Sequence, residues 1–248
     1  MKAFVLAAGL GTRLKPWTLH HPKALVPVGG TPMLERVLTR LTDEGFDDIT
    51  INVHHFADQI RDYLSSHKFD ADIHVSDESG RLLDTGGGLL AASEWLGRDD
   101  RPFLVHNVDI LSNAPLAGFM NMHGKSGRDV TLLTSDRESS RKLIFQPDGT
   151  LAGWHNTKSG EYRPGSFVKC PDMHESAFSG IYIVEPRIFA SMQAYAARRG
   201  SAVFPIMDYL LASVQKQDIG EIRLDSLNLI DIGKPETLAR AEALLARR

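Results

Sequence analysis

The stretch Lys2-Ala3-Phe4-Val5-Leu6-Ala7-Ala8-Gly9-Leu10-Gly11-Thr12-Arg13-Leu14 decides the fold class. After Lys2 the chain is apolar through Ala8, without the polar alternation of a half-solvated strand, and it stops at glycines. That pattern marks a parallel strand buried on both faces. Reading outward, residues 31–44 place Met33, Leu34, Val37, Leu38 and Leu41 at helical spacing, with Pro32 where a first helical residue is tolerated. Strands are expected over 49–53, 71–76, 102–108 and 130–134, and helices over 56–64, 88–96 and 116–122. Such alternation implies right-handed crossovers and a mainly parallel central sheet with helices on both sides. The expected fold is α/β, a three-layer α/β/α sandwich.

Past Asp136 the pattern changes. Residues 143–145 and 151–154 flank Pro147-Asp148-Gly149, a hairpin signal. Residues 157–174 are polar and rich in Gly and Pro and read as a loop; 178–184 and 222–232 return to strand character, and 235–245 form an amphipathic helix. No linker or repeat is visible, so residues 1–248 are expected to form one domain with a smaller, β-rich second half.

A chain of 248 residues with 42% hydrophobic content can bury one substantial core. Its net charge of -3, from 28 basic and 31 acidic residues without long runs, argues against nucleic acid as a partner. It suits instead a small anionic ligand met by a few placed cations. Cys170 alone gives neither an internal disulfide nor metal-ligand spacing. No segment approaches the ~20 apolar residues that span a bilayer, and the apolar run after Lys2 is too short for a signal-peptide core. A cytoplasmic protein with no membrane partner is expected.

Gly9 and Gly11 let main-chain N–H groups approach an anion, and Arg13 adds a planar fork suited to phosphate oxygens. A dinucleotide fingerprint needs a third glycine where Leu14 stands, and an acidic residue after the second strand, where His54 and His55 stand. A P-loop also fails: Gly124-Lys125-Ser126 supplies only the tail, with Phe119 at the first glycine position. On its own, Gly-x-Gly leaves an ordinary tight turn equally open. His54 and His55 are neighbours on a strand and face opposite sides, so they cannot easily share one metal ion.

Asp109 ends the expected strand 102–108, and ligands of parallel α/β sheets lie beyond the carboxyl ends of strands. Asp231 lies late in the expected strand 222–232. Each alone could equally be a helix cap. Brought together at about 4 Å without a counter-ion, the two would repel by about 4 kcal/mol at an effective dielectric near 20. A divalent cation removes that cost, and hard oxygen ligands favour Mg2+.

Gly11-Thr12-Arg13-Leu14-Lys15-Pro16-Trp17-Thr18, followed by Pro22-Lys23 and Ala24-Leu25-Val26-Pro27-Val28, closely resembles the signature of the sugar-nucleotide pyrophosphorylases, the sugar-1-phosphate nucleotidyltransferases. Trp17 stands where that signature usually has Leu. Asn107-Val108-Asp109 resembles the family's Asn-Gly-Asp metal site, and Asp231-Ile232-Gly233-Lys234-Pro235-Glu236 is similar to its Asp-Val/Ile-Gly-Thr-Pro-Glu segment. The likeness runs from Met1 to the last helix, residues 152–175 excepted. It implies a Rossmann-like nucleotidyltransferase fold with a nucleotide-binding half, 1–136, and a sugar-binding half, 137–248. It also implies attack of a sugar 1-phosphate oxygen on the α-phosphorus of a nucleoside triphosphate, with release of pyrophosphate. Arg13 and Lys23 then take catalytic roles, Asp109 and Asp231 hold Mg2+, and Ala8, Gly9, Gly11 and Thr12 receive the nucleotide.

Asp84-Thr85-Gly86-Gly87-Gly88 precedes the expected helix 88–96, where glycines let a flat base approach backbone amides. It resembles the Glu-Thr-Gly-Gly-Gly of N-acetylmuramate 1-phosphate uridylyltransferases, whereas mannose- and heptose-1-phosphate guanylyltransferases look more like Gly-Thr-Ala-Gly. Thr85, Gly86 and Gly87 are therefore expected to bind the nucleotide, with UTP favoured. Phe178-Ser179-Gly180-Ile181-Tyr182 resembles the sugar-side Phe-Ser-Gly-Ile strand, so Asn107, Ser179 and Gly180 are expected to bind the sugar. The Glu-Lys-Pro motif whose lysine holds the sugar phosphate in many relatives is absent, and nothing fixes Lys169 as its substitute. Guanylyl or cytidylyl transfer to another phosphorylated small molecule is the alternative, as is a non-catalytic sugar-nucleotide sensor.

Overall fold

The computed structural model describes residues 1–245. The first half runs β1 (Lys2–Leu6), β2 (Pro27–Val28), β3 (Thr31–Pro32), α1 (Met33–Asp43), β4 (Asp48–Val53), α2 (Ala57–Ser66) and β5 (Asp72–Asp77). Next come α3 (Asp84–Ala91), α4 (Ser93–Leu96), β6 (Phe103–Asn107), β7 (Ile110–Ser112), α5 (Leu116–Ser126) and β8 (Val130–Ser135). The second half holds β9 (Arg141–Phe145), β10 (Leu151–Asn156), β11 (Glu161–Arg163), β12 (His174–Val184), α6 (Phe189–Arg199), α7 (Ile206–Ser213), β13 (Ile219–Arg223), β14 (Leu229–Asp231) and α8 (Pro235–Leu245).

The apolar run at the start becomes the middle strand of a parallel set. β1 pairs with β6 on one side and β4 on the other, and β5 follows β4. Ala3 and Val5 point into a core shared with α1, α2 and α5, while Phe4 points into a second core shared with α3, α6 and α7. Both faces are covered, which is why the strand needs no polar residue after Lys2. Three layers result, as expected.

The sheet becomes mixed in the second half. β12 is eleven residues long and runs antiparallel to β6, β8 and β9. Its second half fills the place between β6 and β8, and its first half carries the antiparallel extension β9–β10–β11. The register of β12 against β8 shifts between Phe178 and Tyr182, at Gly180, whose φ of 80° is left-handed. β13 closes the far side, parallel to β8.

Several elements depart from the sequence reading. Pro32 belongs to the small ladder of β2 and β3 and precedes the helix rather than starting it. The segment 222–232 is not one strand: β13 ends at Arg223, and β14 pairs with β7 in a separate two-stranded ladder. The loop 157–174 contains β11, paired with β10. The helices α6 and α7, which bury Phe189, Met192, Tyr209 and Leu210 under the second face, had no counterpart in that reading. No helix among the described residues is long and apolar enough to cross a membrane.

Candidate active site

The carboxyl ends of β1 and β6 lie side by side, Leu6 opposite Asn107, and a cleft of about 500 Å³ opens beyond them. Residues 6–13 form its floor, together with Lys23, Asn107, Val108, Asp109, Thr85 and Gly233. Gly11 has φ +60°, and a Cβ there would stand 2.8 Å from Lys23 Cβ and 2.9 Å from Thr18 Cγ2. The glycine therefore serves two needs, a left-handed backbone and close passage of the lysine stem. Its carbonyl accepts the Leu14 N–H at 2.8 Å and the Thr18 hydroxyl at 3.0 Å, which closes the turn. Gly9 is exposed, and a Cβ there would meet nothing within 4 Å. Ala8 is buried beneath the turn; Thr12 and Arg13 are exposed on its rim.

Behind the turn lies a polar support that the sequence reading missed. Asn52 Oδ1 accepts the N–H of Ala7 at 2.7 Å and of Ala8 at 3.3 Å. Its Nδ2 donates to Glu78 Oε1 at 2.7 Å, and Glu78 Oε2 accepts the Leu83 N–H at 2.9 Å. Glu78 is 3% exposed, and burial raises its pKa above the usual carboxylate value, opposed by the bonds from Leu83 and Asn52. One buried acid thus ties the end of β1 to the start of α3. The legible signal was an Asn in the buried, mostly apolar Ile49–Val53 run.

Lys23 and Asp109 form an ion pair through the ammonium and Oδ2, with side chains only 14% and 17% exposed. Asp109 does not cap a helix, because β7 follows it. β7 pairs with β14 so that Asp231 stands opposite Ile110, and the Ile232 N–H donates to the Asp109 carbonyl at 2.8 Å. The short ladder brings the two aspartates together across more than a hundred residues of chain. Asp231 is not a cap either: α8 begins at Pro235, and Thr237 bonds the Lys234 carbonyl at 2.9 Å. Asp231 lies exposed at the rim, yet partial withdrawal from water raises its pKa above the usual carboxylate value and the charge of Asp109 adds to this, while Lys23 and Arg13 oppose it. Arg13 reaches the same spot, for a Cβ on Gly233 would stand 2.6 Å from Arg13 Nη2 and 2.8 Å from Asp231 Oδ1.

A second cavity of about 670 Å³ shares Leu6, Thr85 and Asn107 with the first. Asp231, Arg137, Phe178, Ser179, Gly180 and Tyr182 are on its walls. Gly180 is needed because a Cβ there would press to 2.8 Å from Asn107 Nδ2. The Ser179 hydroxyl is spent locally: it is 2% exposed and accepts the Ile181 N–H at 3.1 Å.

The glycines before 88 require a correction. They are not a free loop but the first turns of α3, and the N–H groups of Gly86 and Gly87 both donate to the Phe204 carbonyl, at 2.9 and 3.1 Å. A Cβ on Gly86 would meet the Phe204 ring at 2.5 Å, and one on Gly87 would meet the Ala202 carbonyl at 2.1 Å. They permit close packing of the helix under the 202–204 segment, and neither presents a free amide to a base. Thr85 does line both cavities, although its Oγ1 already accepts the Ile206 N–H at 2.9 Å.

As a metal site, Asp109 and Asp231 offer two carboxylates held at one end of the short ladder. No group of three or more His, Cys, Asp or Glu residues suited to a metal exists among the described residues. Two carboxylates completed by substrate phosphates are the habit of Mg2+, so the residues present fit that ion.

A family model for nucleotidyl transferases matches residues 2–248. The chain belongs to the nucleotidyl transferase family. It is 32% identical over 195 residues to the N-acetylmuramate alpha-1-phosphate uridylyltransferase of Caulobacter vibrioides, covering 76% of each chain. It is 27% identical over 247 residues to a mannose-1-phosphate guanyltransferase of Hypocrea jecorina, 95% of this chain but 62% of that one. It thus spans less than two thirds of the guanyltransferase's length. Among solved structures, a UDP-glucose pyrophosphorylase complexed with UDP-glucose superposes with a TM-score of 0.75 at 19% identity, covering 100% of this chain and 99% of the other. HddC from Yersinia pseudotuberculosis gives 0.75 at 22% identity, covering 98% and 99%. At that identity the likeness speaks for the fold.

Proposed function

We propose that the chain transfers a nucleotidyl group from a nucleoside triphosphate to a sugar 1-phosphate and releases pyrophosphate. The observation that carries this is the meeting of Arg13, the Lys23–Asp109 pair and Asp231 where two cavities join at Asn107. One cavity then takes the triphosphate and the other the sugar. Phosphoryl and nucleotidyl transfers need little covalent chemistry from the protein, so positioning and charge neutralisation do most of the work. Arg13 and the amides of the glycine turn hold the departing pyrophosphate, and Lys23 neutralises charge that grows at the reacting phosphates. Asp109 and Asp231 would hold Mg2+, which when bound supplies further neutralisation of phosphate oxygens. Asn52 and Glu78 act behind the turn: Asn52 takes the Ala7 and Ala8 amides and so fixes the end of β1 beneath the cleft.

Uridylyl transfer is the favoured specificity. It is supported by the uridylyltransferase relative at 32% identity and by the Thr85-Gly86-Gly87-Gly88 motif. The glycines support it only as a motif, since their amides are bonded to Phe204. The test crosses four nucleoside triphosphates with a set of sugar 1-phosphates and measures pyrophosphate release, with and without a chelator. Release from at least one pair, abolished by chelation and restored by Mg2+, is the expected result. Binding of a sugar nucleotide with no release from any pair would point to a sensor instead.

A further inference from the structure

The second cavity contains a cation that the protein's own contacts leave largely unsatisfied. Arg137 follows β8, and its Nη2 donates to the Phe178 carbonyl at 2.7 Å, at the irregular part of β12. Its Nη1 has only the Glu138 carbonyl, at 3.5 Å, and its Nε is buried without a hydrogen-bond partner. The acid whose charge it feels is Asp231, on the same cavity wall. The cavity's other arginines differ. Arg163 is engaged by Glu161 at 3.0 Å and Asp208 at 3.5 Å and lies over the Trp154 ring; Arg141 is exposed at the start of β9.

A half-buried guanidinium whose Nε–H is buried and unpaired is destabilising unless an acceptor arrives. A second orphan donor stands on the same wall, because Tyr182 is 1% exposed and its hydroxyl has no partner. Two unpaired donors, one of them charged, describe a site for a ligand rich in acceptor oxygens and carrying one anionic group. Arg13 and Lys23 belong to the first cleft, so an anion in the second cavity needs a cation of its own.

We propose that Arg137 holds the phosphate of the sugar 1-phosphate, in the cavity that Asp231 also lines and that shares Asn107 with the nucleotide cleft. This rests on the transfer reaction proposed above. The planar fork of arginine can grip two phosphate oxygens at once, which a lysine cannot reproduce.

The test compares wild type with Arg137→Gln and Arg137→Lys. For the substrate pair that releases pyrophosphate, KM for the sugar 1-phosphate should rise about 10- to 100-fold in Arg137→Gln, the range for losing a charge-assisted hydrogen bond. KM for the triphosphate should stay within about twofold, and Arg137→Lys should recover only part of the loss. Inorganic phosphate, titrated calorimetrically, gives a readout independent of turnover: binding that survives in Lys23→Ala and is lost in Arg137→Gln supports the assignment. That result would stand even if no pair were turned over, an outcome that would sink the transfer reading alone. Unchanged phosphate binding in Arg137→Gln would overturn the proposal. So would a matched rise in both KM values with a lower Tm, for Arg137 would then merely prop the irregular part of β12. Should Arg137→Gln fail to fold, Arg137→Lys decides by the same measurements.

Discussion

Lys23 is held at both ends, by passage of its stem against Gly11 and by the Asp109 carboxylate at its tip. A lysine so fixed acts without reorganising when charge develops nearby. Lys23→Ala and Asp109→Ala should each lower turnover at least ~100-fold, the scale for losing a transition-state charge contact, as read by pyrophosphate release. Variants that retain near wild-type turnover would remove both residues from the mechanism. Gly11→Ala tests the turn itself. A left-handed φ of 60° and a Cβ 2.8 Å from Lys23 Cβ both oppose the methyl group, so a destabilisation of about 1–3 kcal/mol is expected in denaturant unfolding. Turnover should fall with it, because the lysine stem must move. At this scale the sequence was informative: the glycine turn, both cations and both acids were legible as motifs. Arg137 was not, since Ser135-Asp136-Arg137-Glu138-Ser139 looks like any solvated turn until β12 folds against it.

Among the elements, α3 carries glycines whose amides another part of the chain already occupies. Three glycines in a helix cost backbone entropy, and Gly→Ala at an exposed helical site usually stabilises by roughly 1 kcal/mol. The geometry reverses that expectation for Gly87, whose Cβ would meet the Ala202 carbonyl at 2.1 Å. Gly87→Ala should therefore lower Tm by several degrees, consistent with an overpacking cost of about 1–3 kcal/mol. A raised Tm would show that the 202–204 segment yields easily and that the glycines are kept for another reason. The β7–β14 ladder is the other decisive element. Three residues on each side are enough to set Asp231 beside Asp109, because Asp231 is fixed opposite Ile110. The sequence reading joined β14 to β13 as one strand, since apolar residues on both sides of the 224–228 turn hide the break.

For the whole molecule, two apolar cores on opposite faces of one sheet leave little room for charge, and His106 in β6 is buried to 2% exposure. Burial drives its pKa down to about 4 from 6.5, with a bond to the Asn107 carbonyl opposing. The unfolded chain therefore takes up this proton before the folded one does as pH falls. The stability carried by neutral His106 is full above about 6.5 and is lost progressively toward 4. The loss amounts to as much as about 3 kcal/mol. Urea unfolding between pH 7 and pH 4.5 should show this decline, and His106→Leu should flatten it. An unchanged slope in the variant would assign the acid sensitivity to other groups, Asp231 excluded, since a raised carboxylate favours the folded state at low pH.

The sequence alone determined the layered α/β architecture, because an apolar run without alternation can only be satisfied by cover on both faces. It also picked out the glycine turn, Arg13, Lys23, Asp109 and Asp231, because each stands in a short motif of recognisable spacing. Tertiary structure alone decided which groups meet across long separations: Asp109 with Asp231 through β7 and β14, Asn52 with Glu78 behind the turn, and Arg137 with the Phe178 carbonyl. It also decided that the amides of Gly86 and Gly87 are occupied by Phe204, a residue more than a hundred positions later. Local pattern reports what a residue can do, whereas its free hydrogen-bonding capacity depends on what the rest of the chain brings against it.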